Sequence, residues 1–297
     1  WFLENPGAVL ATTIDKYCYI YCRYLPPYFE HKSRITYFQM EYVQDNKNIG
    51  HPAVRECLSY MGIDKGIEIY HDKDLPSKRG LGSSSAFVVG LLNGLYNLKD
   101  ISLAPEILAR EAIKVEQEKI GEAVGCQDQY EAALGGFLHI EFRGVDVSIQ
   151  RIDSGRLIDY LMLFDTGTYR VASKVAKSVI TQIPYKKDEL TAMYKMVKEG
   201  QELLEGRNYV DFGRLLHEGW LLKRSLSDKI STSIIDGLYD TALKAGAIGG
   251  KLLGAGGGGF LLLLVEPDKQ KAIKNAMRGL HSIPFKLETG GSQVIFR

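Results

Sequence analysis

The stretch from Asp74 to Tyr96, DLPSKRGLGSSSAFVVGLLNGLY, constrains the fold of this chain more than any other. A polar turn dense in glycine and serine runs straight into an apolar segment that lacks proline and has few β-branched residues. That is the pattern of a loop feeding a helix. Gly80 and Gly82 permit φ > 0 and remove side chains where a ligand must come close. Ser83, Ser84 and Ser85 are placed to cap the helix and to offer hydroxyls. The first-turn N–H groups, unpaired and at the positive end of the helix dipole, attract anions. Lys78 and Arg79 add positive charge beside them, so the stretch predicts a phosphate site.

It is not the common phosphate loop. G-x-x-x-x-G-K-[ST] requires a lysine after its last glycine, and G-x-G-x-x-G fails because Ser85 stands where its third glycine belongs. A Gly/Ser connection that merely caps a core helix is the plain alternative. The run from Pro76 to Ala86, P-x-x-x-G-L-G-S-S-S-A, is more specific than a lone turn. It resembles the ATP-binding loop of the GHMP kinases (galactokinase, homoserine kinase, mevalonate kinase and phosphomevalonate kinase).

The rest of the chain bears on that resemblance. At 297 residues it can hold one large domain or two ordinary ones, and 45% hydrophobic with 25% charged residues marks it as globular and soluble. A net charge of +1 offers no electrostatic reason to expect nucleic acid or an anionic membrane as partner. Cys18, Cys22, Cys57 and Cys126 form no C-x-x-C pair and read as buried free thiols in a reducing, cytoplasmic setting. The scattered histidines make no zinc pattern. No apolar run reaches membrane-span length. The opening WFLENPGAVLATTID has neither a signal-peptide pattern nor an initiator Met, so the chain is expected to begin partway into a longer protein.

Taken in order, Gly7 to Tyr24 reads as two strands or one bent strand, and Ile35 to Val43 as another. His51 to Met61 has helical spacing with Gly62 as its stop, and Gly66 to His71 is a strand leading into the Gly/Ser loop. Leu103 to Lys119 reads as a helix, GCQDQ as a turn entering a short helix closed by Gly135-Gly136, and Phe137 to Phe142 as a strand. The texture changes near Asp153 to Arg156, which places a boundary between a domain at 1–154 and one at 155–297. Leu157 to Thr166 reads as a strand. Helical periodicity covers Val171 to Thr181, Lys187 to Glu205, Tyr209 to Arg224 and Ser231 to Ala245. After the glycine concentration AIGGKLLGAGGGGF come a strand at Phe260 to Val265, a helix at Asp268 to Arg278 and a strand-like tail at Val294 to Phe296. The fold class is α+β.

The GHMP resemblance then extends along the chain. KLLGAGGGGFLLLL resembles the family's third motif, and GCQDQ the G-x-x-D-Q of its sugar-kinase branch. The resemblance implies a two-domain GHMP kinase fold, with an N-terminal ribosomal protein S5 domain 2-like domain and a C-terminal ferredoxin-like domain. It implies an ATP- and Mg2+-dependent phosphotransferase with an alcohol acceptor. ATP binding falls on Lys78, Arg79, Gly80, Leu81, Gly82, Ser83, Ser84, Ser85, Gly256 and Gly257. Phosphoryl transfer needs positioning, charge neutralisation and a carboxylate that relieves the acceptor hydroxyl of its proton. By resemblance that carboxylate is Asp128, whose other reading is a helix-capping Asp. Magnesium takes hard oxygen ligands, and the family pattern assigns it to Ser84 and Glu116, although Glu116 also reads as a solvated helix face.

The family's first motif has no counterpart here and is expected to lie outside the given residues. Within the family, GLGSSSAFVVGLLNGL, HPAVRECL, GCQDQYEAALGGF, DTGTYRVAS and GGKLLGAGGGGFLLL together look most like the D-glycero-D-manno-heptose 7-phosphate kinases. Those phosphorylate an anomeric hydroxyl on the way to GDP-heptose and surface glycans. Gln127, Asp128, Tyr169, Arg170 and Lys223 are the substrate residues so implied. Tyr169 also reads as a core tyrosine, and Arg170 and Lys223 as surface charges. Other sugar 1-kinases (fucokinase- or galactokinase-like), a non-catalytic sugar/ATP sensor and a mevalonate-type kinase are the alternatives. The implied partners are ATP and a sugar phosphate, with no nucleic acid or membrane, and a homodimer stays open.

Overall fold

The computed structural model describes residues 1–77, 79–168 and 172–297. Lys78, Tyr169 and Arg170 therefore lie outside the described residues. In chain order the elements are β1 (Gly7–Ile14), β2 (Cys18–Tyr24), β3 (Ser33–Thr36), β4 (Met40–Val43), α1 (Pro52–Tyr60), β5 (Ile67–Lys73), α2 (Ser83–Asn97), α3 (Pro105–Lys114) and α4 (Gln127–Leu134). There follow β6 (Phe137–Arg143), β7 (Asp146–Arg151), β8 (Leu161–Asp165), α5 (Ala172–Gln182), α6 (Lys187–Glu205), α7 (Tyr209–Ser225) and α8 (Ser233–Lys244). The chain ends with β9 (Gly249–Leu252), β10 (Phe260–Leu264), α9 (Gln270–Ala276), β11 (His281–Ile283) and β12 (Leu287–Glu288). The sheets run β12-β1-β6-β7, β11-β8-β10-β9 and β2-β5-β3-β4. Helices and sheets are mixed, as expected of an α+β chain.

The chain divides into two compact units that interleave along the sequence. The first comprises Trp1–Thr12, Ser77–Leu81 and Phe137–Leu287; the second comprises Thr13–Pro76, Gly82–Gly136 and Glu288–Arg297.

In the first unit, β8 and β10 are apolar on both faces, and Phe164, Leu261 and Leu263 are almost wholly buried. Trp220 of α7, Tyr239 of α8 and Ile273 of α9 complete that core. A smaller cluster joins Leu204 of α6 and Phe212 of α7 to Leu157 and Leu264. Burial of such side chains contributes roughly 1.5–3 kcal/mol each.

In the second unit, β5 is the centre of its sheet, antiparallel to β2 and parallel to β3. Helix α2 packs on β2 through two close approaches. A Cβ at Gly90 would come within 3.0 Å of Ile20 Cδ1, and one at Gly94 within 2.9 Å of Cys22 Sγ. Val88, Val89, Leu91, Leu92 and Leu95 fill the other sides of α2, so this helix is nearly encircled by core.

Several sequence expectations need correction. Ile35 to Val43 is two strands rather than one, because Tyr37 N donates to Gln39 O across a tight turn. Leu157 to Tyr160 is a 3-10 turn ahead of β8, and β7 and β9 occur where no strand was expected. The helix expected to run to Lys119 ends at Lys114 and continues as a π-helical turn at Val115–Ile120. The tail at Val294 to Phe296 is no strand; Ile295 and Phe296 are exposed, and β-propensity without a pairing edge or a core does not make one. Cys57 alone among the thiols is fully buried, the other three being partly so. Burial pushes the Cys22 and Cys126 thiols up to about 11, which leaves them poor nucleophiles.

Candidate active site

In the second unit the phosphate-loop stretch becomes helix at Ser83, one residue earlier than a serine cap would have it. The N-cap is Gly82 at φ 64°, without a side-chain cap bond, and Ser83, Ser84 and Ser85 form the first turn. The serines are thus corrected from caps to first-turn residues. Their side chains are released from capping and point around the helix at about 100° intervals. Ser85 is buried and Ser84 exposed. The α2 N-terminus keeps its unpaired donors and dipole for an anion.

Gly82 is favoured by its left-handed φ, and the Asp128 carboxylate lies close against it. A Cβ built there would stand 3.2 Å from Asp128 Oδ2. Asp128 belongs to the first turn of α4, whose N-cap is Cys126, so it is not the helix cap. Gln127 Nε2 donates to Asp128 Oδ1 at 3.1 Å. The fold therefore brings the GCQDQ carboxylate onto the residue that caps α2, forty-six positions away in the chain.

Glu116 sits on the π-helical turn and is 1% exposed, which excludes a solvated helix face. Its Oε2 accepts from Ser85 Oγ at 3.1 Å and from Gln129 Nε2. Its Oε1 is buried without a hydrogen-bond partner. Burial pushes the Glu116 carboxyl up to about 7; the bonds from Gln129 and Ser85 oppose this, while Glu122 and Asp128 add to it. An orphaned, buried carboxylate oxygen on a side chain held by the Ser85 hydroxyl suits a hard divalent cation, which takes one or two carboxylates plus phosphate oxygens. Among the described residues no group of three or more His, Cys, Asp and Glu side chains could hold a metal by itself.

The serine whose hydroxyl meets Glu116 is Ser85, whereas Ser84, which the family pattern pairs with Glu116 at magnesium, is exposed; Gln129 is a further partner of Glu116 that no motif singles out. The burial pattern of α2, with Ser85, Phe87, Val88 and Val89 inside, would have singled out Ser85 had the helix start been known.

In the first unit, Ser77–Leu81 lies against the glycine segment before β10. A Cβ at Gly254 (φ 69°) would be 2.4 Å from Gly80 Cα, and one at Gly80 (φ 83°) would be 2.6 Å from Leu253 O. Only glycine allows two backbones this close. Gly256 and Gly257 lean instead on Ile230, whose carbonyl accepts from Gly257 N at 2.8 Å. The Arg79 guanidinium is paired with Asp165. Lys223 Nζ donates to Gly254 O at 2.5 Å, tying α7 to the glycine segment.

The family model of the GHMP kinases N terminal domain matches residues 48–136, and that of the GHMP kinases C terminal matches residues 201–281. The D-glycero-alpha-D-manno-heptose 7-phosphate kinase of Campylobacter jejuni is 32% identical over 214 residues, covering 69% of this chain and 63% of that protein. The chain thus spans less than two thirds of that relative's length. A mevalonate kinase of Pyrococcus abyssi is 27% identical over 291 residues, covering 93% of this chain and 77% of that protein. Among solved structures, a D-glycero-D-manno-heptose 1-phosphate kinase from Bacteroides thetaiotaomicron superposes with a TM-score of 0.76 at 22% identity, covering 96% of this chain and 89% of that one. That likeness shows the fold, a two-domain α+β arrangement. Both family models match in chain order, and the phosphate-loop glycines and the GCQDQ carboxylate fall within the first matched span: the chain belongs to the GHMP kinase family.

Proposed function

We propose that the protein is an ATP-dependent sugar-phosphate kinase that phosphorylates an anomeric hydroxyl. The acceptor we favour is D-glycero-D-manno-heptose 7-phosphate, giving the 1,7-bisphosphate for GDP-heptose and surface glycans. The observation that carries the reading is the Asp128 carboxylate lying on Gly82 at the N-terminus of α2. A group that removes a hydroxyl proton then stands beside donors suited to phosphate. The 32% identical relative, named as a heptose 7-phosphate kinase, supports the choice of acceptor.

In this reading the first-turn N–H groups of α2 (Ser83, Ser84, Ser85) hold the ATP phosphates, with Lys78, Arg79, Gly80, Leu81, Gly256 and Gly257 completing the nucleotide site. Asp128 accepts the proton of the acceptor hydroxyl as that hydroxyl's oxygen bonds to the γ-phosphorus and the bond from the γ-phosphorus to the β–γ bridging oxygen breaks, releasing ADP. Gln127 orients Asp128 through the hydrogen bond between them. Glu116 and Ser84 would hold magnesium, with Ser85 and Gln129 fixing the Glu116 carboxylate. When bound, magnesium neutralises charge on the β- and γ-phosphates. Tyr169, Arg170 and Lys223 are proposed to face the sugar phosphate. Lys223 would do so from a position fixed by Gly254 O. The family domains are proposed to be 1–154 and 155–297.

The test is ADP release by the full-length protein with Mg-ATP and, separately, the heptose 7-phosphate, fucose, galactose and mevalonate. Turnover on the heptose phosphate alone supports the reading. Turnover on a free sugar or on mevalonate replaces the acceptor, and ATP binding without turnover on any of them favours a sensor.

A further inference from the structure

Asp165 and Thr166, where β8 ends, have no part in the site described above, yet both hold the phosphate-loop stretch within the first unit. β8 is an inner strand of the sheet β11-β8-β10-β9, and Asp165 stands between Phe260 of β10 and His281 of β11. Its carboxylate is fixed from two sides. Oδ1 accepts from Gly167 N at 3.0 Å, a turn that the aspartate makes on its own backbone. Oδ2 accepts from Arg79 Nη1. The Asp165 and Arg79 side chains keep 14% and 21% of their surface exposed, so water and salt screen this pair less than one in the open.

Thr166 holds the same stretch indirectly. It is buried, and its Oγ1 donates to Gly259 O at 2.7 Å and accepts from Gly259 N at 3.2 Å. Its own N donates to Gly259 O at 3.0 Å. Gly259, at φ 115°, lies in turn against the Arg79 carbonyl, into which a Cβ at that glycine would run. Neighbouring residues of one strand end thus grip Arg79 twice, Asp165 by the guanidinium and Thr166 through the glycine beneath the carbonyl. Gly80, next in the chain, is wedged against Leu253 O. A guanidinium already held by a fixed carboxylate is poorly placed to leave for a phosphate, and what the pair supplies is a fixed backbone.

We propose that Asp165 is a positioning residue for ATP, holding the Arg79 side chain so that the backbone at Arg79 and Gly80 keeps the course the nucleotide requires. Arg79 then serves the nucleotide through its main chain and not through its charge. This rests on the reading of the stretch as an ATP site and adds to it a residue that touches neither ATP nor the acceptor. The sign of one effect separates a tether from a direct phosphate ligand. If Arg79 bound phosphate, Asp165 would compete with ATP for the guanidinium, and removing it would tighten binding. In a tether each partner works only through the other, so losing either one weakens ATP to the same extent.

The experiment is calorimetric titration of Mg-ATP into the full-length wild type, Asp165→Asn, Arg79→Met and the double variant, each checked for its fold by circular dichroism. Asp165→Ser, which keeps an acceptor for Gly167 N, replaces Asp165→Asn if that variant does not fold. Steady-state ADP release gives kcat and KM alongside. Each single variant is expected to raise the ATP dissociation constant and KM about tenfold with a smaller change in kcat, and the double variant to be no worse than either single one. The proposal is overturned if loss of the Asp165 carboxylate leaves ATP bound as tightly as in the wild type or more tightly, or if the two single losses add in the double variant. An unfolding midpoint that drops while the dissociation constant stays put shows a merely structural pair and overturns it too. In each of these cases ATP binding by the wild type leaves the kinase reading standing, whereas a wild type that binds no ATP overturns both.

Discussion

Gly82 and Asp128 are in contact: the carboxylate borders the space where any other residue at position 82 would put its Cβ, with Oδ2 3.2 Å from that point. One glycine thereby sets the start of α2 and admits the group proposed to take the acceptor's proton. Gly82→Ala should fail in both respects. The left-handed backbone costs alanine about 1–2 kcal/mol, and the methyl crowds Asp128. Thermal unfolding should show the stability loss, and kcat should fall further than the amount of folded protein accounts for.

Glu116 gives a pH signature in the metal-free protein. Its carboxyl is raised from 4.5 to about 7 by burial. Between those values the native state holds a proton that the unfolded chain has released. This group's contribution is therefore most favourable below about 4.5, declines as pH rises and levels off above about 7. The decline amounts to about 3 kcal/mol in all. Glu116→Gln should flatten that slope in denaturant titrations run across the range. Magnesium should stabilise the wild type at pH 8 and leave Glu116→Gln unmoved, because only the ionised carboxylate offers Oε1 to a cation.

Lys223 acts on the glycine segment through the Gly254 carbonyl. Replacing it with methionine keeps most of the stem and removes a charged donor, a loss of about 1.5–3 kcal/mol. If the segment supports the nucleotide, KM for ATP should rise about tenfold or more with a smaller change in kcat. A rise confined to KM for the sugar phosphate would instead show Lys223 contacting the acceptor.

Much of this architecture was legible in the sequence for physical reasons that can be named. The helix at Lys187–Glu205 was read with its final boundaries because amphipathic spacing and the absence of proline define a long surface helix well. The phosphate loop and GCQDQ were readable because their glycines and carboxylate have few other uses. What was hidden depended on three-dimensional packing. Three consecutive serines do not reveal which one faces inward until the helix start is known, and that start rests on the φ of Gly82. Glu116 in an EQEK run looks solvated, and only the π-helical turn and the packing around it bury the side chain. Strand β9 was masked by the glycines it contains, and Val294 to Phe296 looked like a strand with no edge to join.

The most direct test of the central claim compares wild type with Asp128→Asn, measuring both ATP affinity and transfer to the heptose 7-phosphate. Removing the proton acceptor while keeping its shape should lower kcat by about 100-fold or more and leave the ATP dissociation constant nearly unchanged. Unimpaired transfer in Asp128→Asn, or loss of ATP binding in a variant that folds normally, would contradict the role assigned to this carboxylate.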